Sequence, residues 1–213
     1  MRPGVQFVGV VALREPVFVA IMHAGETTAA ARYIATELAP RELTDIPLGQ
    51  GNLLLCTWGV APAPRDNALL AIVDGTGGSP EVAYPVTLLD APGVPGARLG
   101  ELRQDRSYLW LDETRSPVFW TDHAGMSRIY HVRAGGCDVF SDRQETLARL
   151  TSGPDEAFLA YFLNNGTTSF DRTAYAGLST LPVASVVTMS GAGPAARRYW
   201  HFRPGQEADE DTR

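Results

Sequence analysis

The sequence lacks the features that mark several special classes of protein. It has two cysteines, Cys56 and Cys137, which are far apart and belong to no CxxC pair. Neither a disulfide framework nor a cysteine zinc site is indicated, and we expect two buried thiols in a reducing cytoplasm. No run of basic residues stands out and the net charge is −6, which disfavours nucleic acid as a partner. No segment reaches the roughly 20 apolar residues of a membrane-spanning helix, so no membrane partner is expected.

The apolar start of the chain resembles a secretory signal only in part. Arg2 precedes an apolar run over residues 5–13, but Arg14-Glu15-Pro16 interrupts the run and no small-residue cleavage site follows. We therefore expect a core strand there and a cytoplasmic protein. The composition, 45% apolar and 20% charged over 213 residues, suits one folded domain. That domain is expected over residues 1–204, followed by an acidic tail or cut linker over residues 205–213.

Apolar and β-branched runs bounded by Gly, Pro and Asp predict mainly strands. Continuous apolar runs near the start predict strands covered on both faces, and alanine-rich residues 27–38 predict a helix that ends before Pro40. Residues 107–142 carry the clearest pattern, four short strands that predict a meander of hairpins. Strands are predicted at residues 6–13, 17–22, 52–60, 69–73, 86–89, 108–112, 118–121, 128–132 and 138–140.

Two helices and a hairpin are predicted after the meander. Ser141-Asp142-Arg143-Gln144 has the form of a capping box and opens a short helix. A second helix is predicted over residues 155–163, with Phe158, Tyr161 and Phe162 on one face and Gly166 in its stop signal. Strands over residues 183–189 and 197–202 form the hairpin. The predicted fold class is α+β, with two sheets in a sandwich and helices outside.

Several of these motifs together resemble one family. They are Thr121-Asp122-His123-Ala124-Gly125 before an apolar strand, Ser141-Asp142 before a short helix, the segment Gly177 to Pro182, and Tyr199-Trp200. Over about residues 102–202 the chain resembles the glutaminase-like N-terminal domain of asparagine synthetases, above all that of β-lactam synthetases and lasso-peptide cyclases. The resemblance implies an αββα sandwich of two mainly antiparallel sheets with flanking helices, the fold of the N-terminal-nucleophile hydrolases.

The family's nucleophile is missing from this sequence. Active members begin Met-Cys, and the freed N-terminal Cys attacks the side-chain amide of glutamine. An overlay of Phe7-Val8-Gly9-Val10 on the family's first strand puts Val5 at the cysteine position. The first ten residues include no Cys, Ser or Thr. We therefore expect no catalytic residue in this chain.

The other glutamine-pocket positions also differ from the family pattern. The family's arginine-bearing loop would fall near Trp58, where no arginine is found. Its Asn-Gly-Glu motif most resembles Asp74-Gly75-Thr76. Asp74 would repel a bound substrate carboxylate by about 1 kcal/mol or more at contact distance near a surface. Val5, Trp58, Asp74, Gly75 and Thr76 therefore form an altered version of the family's glutamine pocket. We assign none of them as a substrate-binding residue.

Other possible sites are weaker. Asp122 and His123 are residue types that could act together in acid–base catalysis. However, an Asp in a tight turn normally caps its own backbone. The four histidines have no ligand spacing, so no metal is expected. Gly75-Thr76-Gly77-Gly78-Ser79 lacks the lysine of a phosphate-binding loop, and Ser152-Gly153-Pro154-Asp155 departs from the S-G-G-x-D-S motif with which the family binds ATP. Trp110, Trp120 and Trp200 are expected in the core.

The sequence thus predicts an inactive glutaminase-like domain that supports an ATP-dependent amide-forming ligase. No cofactor is expected in this chain; ATP and Mg²⁺ belong to the implied synthetase domain, which is the expected partner in the same chain or a separate one. Two alternatives stay open. One is an N-terminal fragment of a glutamine-hydrolysing asparagine synthetase, and the other is a free-standing binding or regulatory module. The oligomeric state is left open.

Overall fold

The structure, a computed structural model, describes residues 18–38, 44–57, 68–72, 107–111, 116–122, 124–167, 171–190 and 193–199. Within them the helices are α1 (Thr28–Leu38), which follows a 3-10 turn at Gly25–Thr27, α2 (Gln144–Ala148) and α3 (Glu156–Asn165). The strands are β1 (Phe18–His23), β2 (Thr44–Pro47), β3 (Asn52–Thr57), β4 (Ala68–Ile72), β5 (Ser107–Leu111), β6 (Pro117–Trp120), β7 (Tyr130–Ala134), β8 (Cys137–Ser141), β9 (Leu178–Thr180), β10 (Ser185–Ser190) and β11 (Gly193–Arg198).

These strands form two antiparallel sheets. Sheet A has the order β2-β3-β1-β8-β7-β9, and sheet B has the order β11-β10-β6-β5-β4. Every pairing between described strands is antiparallel. The α+β class predicted from the sequence is confirmed. Among the described residues, no helix is long and apolar enough to cross a membrane.

The alternation of side chains along β1 explains how the layers stack. Phe18 and Ala20 belong to a cluster between the two sheets, whereas Val19 and Ile21 belong to a second cluster on the opposite face of sheet A. There α1 buries Ala31, Ile34, Ala35 and Leu38, which follow the i, i+3, i+4, i+7 spacing of one helix face. β1 is therefore covered on both sides, as its continuous apolar run predicts.

The predicted meander is correct as two hairpins and wrong as one unit. β5 pairs with β6 in sheet B, and β7 pairs with β8 in sheet A. The loop between β6 and β7 crosses from one sheet to the other. Apolar runs report that a strand is buried but not which sheet it joins, so the sequence pattern missed this crossing.

The predicted capping box before α2 is also wrong. Ser141 ends β8, and its hydroxyl donates to the carbonyl oxygen of Phe18 at 2.9 Å. The Asp142 carboxylate accepts from the Phe18 backbone N–H at 3.2 Å. The residue that precedes α2 is Arg143, whose side chain makes no cap hydrogen bond. The Ser-Asp pair therefore fastens the end of β8 to the start of β1.

The ends of α3 and the last hairpin agree with their sequence predictions more closely than the meander and the capping box do. Asp155 accepts from the Phe158 backbone N–H at 2.9 Å, and Gly166 ends the helix with φ of 67°, a left-handed conformation that favours glycine. β10 pairs with β11. β11 begins at Gly193 rather than at residue 197, because Gly193 already pairs with Ser190 and Pro194 with Met189. The strands predicted at residues 6–13 and 86–89 lie outside the described residues.

Candidate functional site

The altered pocket positions Val5, Trp58, Asp74, Gly75 and Thr76 all lie outside the described residues. Their arrangement in the fold stays a prediction. The candidate site is therefore built from other groups, namely the thiols, the loop after β6, a cleft at one end of the sandwich and the outer face of α3.

Both cysteines are buried thiols in sheet A, as the sequence predicts. Each belongs to the cluster beneath α1. Burial raises the pKa of the Cys137 thiol above its ordinary value. A raised pKa lowers the fraction of thiolate, which is the nucleophilic form. These positions suit core packing and do not suit attack on a substrate.

We expect neither thiol to react with a water-soluble disulfide reagent while the protein is native, and both to react after denaturation. The reason is burial, with the raised pKa of Cys137 as a further barrier. The measurement is the rate at which the reagent's thiol leaving group is released, in buffer and in guanidinium chloride. A Tyr33→Cys variant is the matched control, because Tyr33 is exposed on α1 and its thiol should react at once. Fast labelling of Cys56 in native wild-type protein would contradict this arrangement.

Asp122 is fully buried and binds the backbone of its own loop. Its carboxylate accepts from the backbone N–H of Met126 at 2.6 Å and of Ser127 at 3.2 Å. The Ser107 hydroxyl accepts from the Asp122 N–H and donates to the Ser127 carbonyl oxygen. This supports the turn-capping interpretation over acid–base catalysis. His123 lies outside the described residues.

Trp120 and Tyr199 hold sheet B to the same loop. Their ring centroids are 4.2 Å apart, and the Trp120 indole N–H donates to the Tyr199 hydroxyl at 3.1 Å. That hydroxyl donates to the Thr121 carbonyl oxygen at 2.7 Å. Trp120 is thus a core residue, as expected. The side chain of Trp110 and the whole of Trp200 lie outside the described part of the chain.

A cleft of about 290 Å³ opens where β1 and β7 end. Met22, Leu48 and Met189 give it an apolar floor against the core between the sheets. Arg133 and Asp138 line its polar side. The inner face of sheet A, which carries Phe18, Ala20 and Phe140 in the core, therefore becomes charged at this end.

Asp138 is coupled to a histidine beside the cleft. The His131 Nε2 atom and the Asp138 Oδ1 atom are 2.9 Å apart, and the imidazole ring packs on Phe140. No hydroxyl or thiol of the described residues hydrogen-bonds to this ring, so the couple lacks the nucleophile of a catalytic triad. Arg133 is exposed and makes no ion pair with another described residue. No cluster of three or more possible metal ligands is found in the described ranges.

The sequence patterns described above did not predict this charged group. Its signal is the two-residue alternation of β7 and β8. His131 and Arg133 are two residues apart on β7 and therefore lie on the same face of that strand. Asp138 likewise lies on the same face of β8 as the buried residue Phe140. Charged residues on the strand face that elsewhere points into the core mark the point where the space between the sheets opens to solvent.

The outer surface of α3 is apolar. Residues 157–163 read AFLAYFL. Phe158 is buried, but Tyr161 is 47% exposed, Phe162 41% and Leu163 81%. The sequence places Phe158, Tyr161 and Phe162 on one face, and the structure leaves the last two of them largely outside the core.

A groove of about 310 Å³ runs beside α3, between Phe158 and Phe162 on the helix and Tyr130 on β7. Arg128 and Arg172 also line it. Burial raises the pKa of the Tyr130 hydroxyl, and the Arg128 guanidinium opposes that rise.

The first turn of α3 is held by Asp155. The Phe158 backbone N–H and the Arg172 guanidinium lower the pKa of this carboxyl group below its ordinary value. Asp155 therefore caps the first turn of α3.

No protein-family model matches the sequence, and no curated protein matches it.

Proposed function

We propose that this chain is a glutaminase-like N-terminal domain, without glutaminase activity, of an ATP-dependent amide-forming ligase of the asparagine-synthetase type. In this proposal its sheets and helices are part of the αββα sandwich of the N-terminal-nucleophile hydrolases. The synthetase domain binds ATP and Mg²⁺, activates a carboxylate and closes an amide, as in β-lactam synthetases or lasso-peptide cyclases. The role of this chain is to pack against that domain and order it.

The proposal is supported by the combination of motifs that resemble a glutaminase domain, two antiparallel sheets and the absence of a nucleophile among the early residues. No Cys, Ser or Thr occurs at residues 1–22, a range that reaches Met22 in the central strand of sheet A. Cys56 and Cys137 lie inside sheet A, and neither becomes N-terminal unless the chain is cut within its core.

Among the described residues, one hydroxyl lies near a histidine: the Thr28 Oγ1 atom is 3.5 Å from His23 Nδ1, but it donates to the Gly25 carbonyl oxygen at 2.8 Å. Glutamine hydrolysis by covalent catalysis needs a nucleophile activated by a neighbouring base. The His131 ring is bound to Asp138, and the Cys137 thiol has a raised pKa. A ligase whose substrate carries its own amine needs no ammonia from glutamine, which is consistent with the loss of this chemistry.

We expect the purified chain to release no ammonia from glutamine above the blank, because no activated nucleophile is available. The measurement is an ammonia assay coupled to glutamate dehydrogenase, with an active glutaminase in the same buffer as the positive control. Ammonia release that is abolished by Cys56→Ser or Cys137→Ser would overturn the proposal. It would favour the alternative of a glutamine-hydrolysing asparagine synthetase.

The coding sequence supplies a second test. An open frame past Arg213, or a neighbouring gene, that encodes S-G-G-x-D-S supports the ligase. If neither encodes it, the alternative of a free-standing binding module is favoured.

A further inference from the structure

We propose that the cleft at the ends of β1 and β7 binds a small carboxylic acid that has an apolar chain and, next to its carboxylate, an amino or hydroxyl group that donates a hydrogen bond. This binding site goes beyond the proposed function and does not depend on it.

The register of the strands places two opposite charges side by side on the inner face of sheet A. Arg133 on β7 and Met22 on β1 both pair with Asp138 on β8. Directly paired residues of neighbouring antiparallel strands point to the same face, and their Cα atoms lie about 5 Å apart. Two residues along β7, His131 pairs with Phe140, which lies in the core between the sheets. Arg133 and Asp138 therefore project from the same face of the sheet as Phe140, where the core ends.

Asp138 is a largely buried carboxylate with one unpaired oxygen. Only 15% of its side chain is exposed. Its Oδ1 atom is 2.9 Å from His131 Nε2, whereas Oδ2 has no hydrogen-bond partner among the described residues. Removing a carboxylate from water is costly unless its oxygens are hydrogen-bonded or paired. Because Asp138 lines the cleft, a ligand in the cleft can supply the donor that Oδ2 lacks.

Arg133 supplies the opposite charge. It lies directly across from Asp138 in register, but the Asp138 carboxylate is bound to His131 and forms no ion pair with Arg133. A guanidinium binds a carboxylate through two parallel N–H donors. An acid whose amino or hydroxyl group is on the carbon next to its carboxylate can contact Arg133 and Asp138 together, since the two residues are neighbours across one strand pair.

The remaining lining of the cleft defines the rest of the ligand. Met22, Leu48 and Met189 form an apolar floor, and the thioether side chains of methionine adapt to irregular apolar shapes. A volume of about 290 Å³ is near the lower end of the roughly 300–1,000 Å³ of small-molecule sites. The ligand is therefore small, with an aliphatic chain that lies on the methionine floor.

Calorimetric titration of the full chain with leucine and with α-hydroxyisocaproate tests this site. The two acids share the carboxylate and the aliphatic chain, and they differ in whether an amino or a hydroxyl group faces Asp138. We expect binding of at least one of them, and Arg133→Gln should raise its Kd at least about tenfold. Arg32→Gln is the matched control, because Arg32 is an exposed arginine on α1 and does not line the cleft. Isopentylamine, which lacks the carboxylate, should not bind.

Asp138→Asn separates the two donors. Asparagine keeps an oxygen for His131 and loses the negative charge, so it should weaken leucine more than α-hydroxyisocaproate. Glutamine should bind more weakly than leucine, because the methionine floor offers little to a polar side chain. Circular dichroism checks that each variant is folded.

Three results would overturn the site. They are binding of neither acid, binding of wild-type strength by folded Arg133→Gln, and binding of isopentylamine as tight as that of leucine. None of them bears on the proposed function, which the ammonia assay tests separately.

Discussion

Replacing Phe119 with alanine should lower the free energy of unfolding by about 3–5 kcal/mol. Phe119 is fully buried on β6, and its ring centroid lies 4.5 Å from that of Phe140 on β8. The pair joins sheet B to sheet A, so truncation leaves a cavity between the sheets rather than at their rim. Since a domain of this kind has about 5–15 kcal/mol in total, much of the stability would be lost.

Urea denaturation followed by circular dichroism measures this effect. Phe119→Leu is the matched variant and should cost clearly less, because it keeps most of the side-chain volume. Tyr33→Ala, at an exposed site on α1, should stay within about 0.5 kcal/mol of wild type. If Phe119→Ala unfolds at the wild-type urea concentration, the two sheets are not stacked through this residue.

The second large effect is expected at Asp122. Asp122→Ala removes the acceptor of two backbone N–H groups, those of Met126 and Ser127. An unsatisfied buried donor costs about 1–3 kcal/mol, so we expect a loss of about 2–4 kcal/mol. Asp122→Asn keeps one acceptor oxygen and should fall between Asp122→Ala and wild type.

The same urea titration separates a structural Asp122 from a catalytic one. Asp45→Ala is the control, because Asp45 is an exposed carboxylate on β2 and should change stability little. If the chain is part of an amide-forming ligase as proposed, loss of that activity by a stable Asp122→Ala variant would show that the carboxylate acts in chemistry.

Much of the fold follows from patterns that report burial. The continuous apolar run of β1 predicts a strand covered on both faces, and the alanine-rich segment predicts α1. Asp155 and Gly166 bound α3 as their chemistry implies, and the loop aspartate Asp122 caps its backbone as expected. Each of these signals is local, because it depends on neighbours within one turn or one strand.

The misses concern long-range arrangement. The apolar runs of β6 and β7 do not indicate that the two strands belong to different sheets. Ser141 matches the sequence pattern of a helix cap, but its hydroxyl donates to the Phe18 carbonyl oxygen on β1. The apolar sequence of α3 also does not show which of its residues are buried, and in the structure only Phe158 of this helix is. The charged group at the cleft depends on strand register, which apolar periodicity alone does not fix.

The outermost described strand of sheet B bears on how the protein behaves in solution. An end strand such as β11 presents backbone groups to which a foreign strand can add, and natural sheets guard against this with proline and charge. β11 carries Pro194, which has no N–H to donate, and the adjacent cations Arg197 and Arg198. Like charges on two such edges repel, so this edge should resist fibre formation even at high concentration.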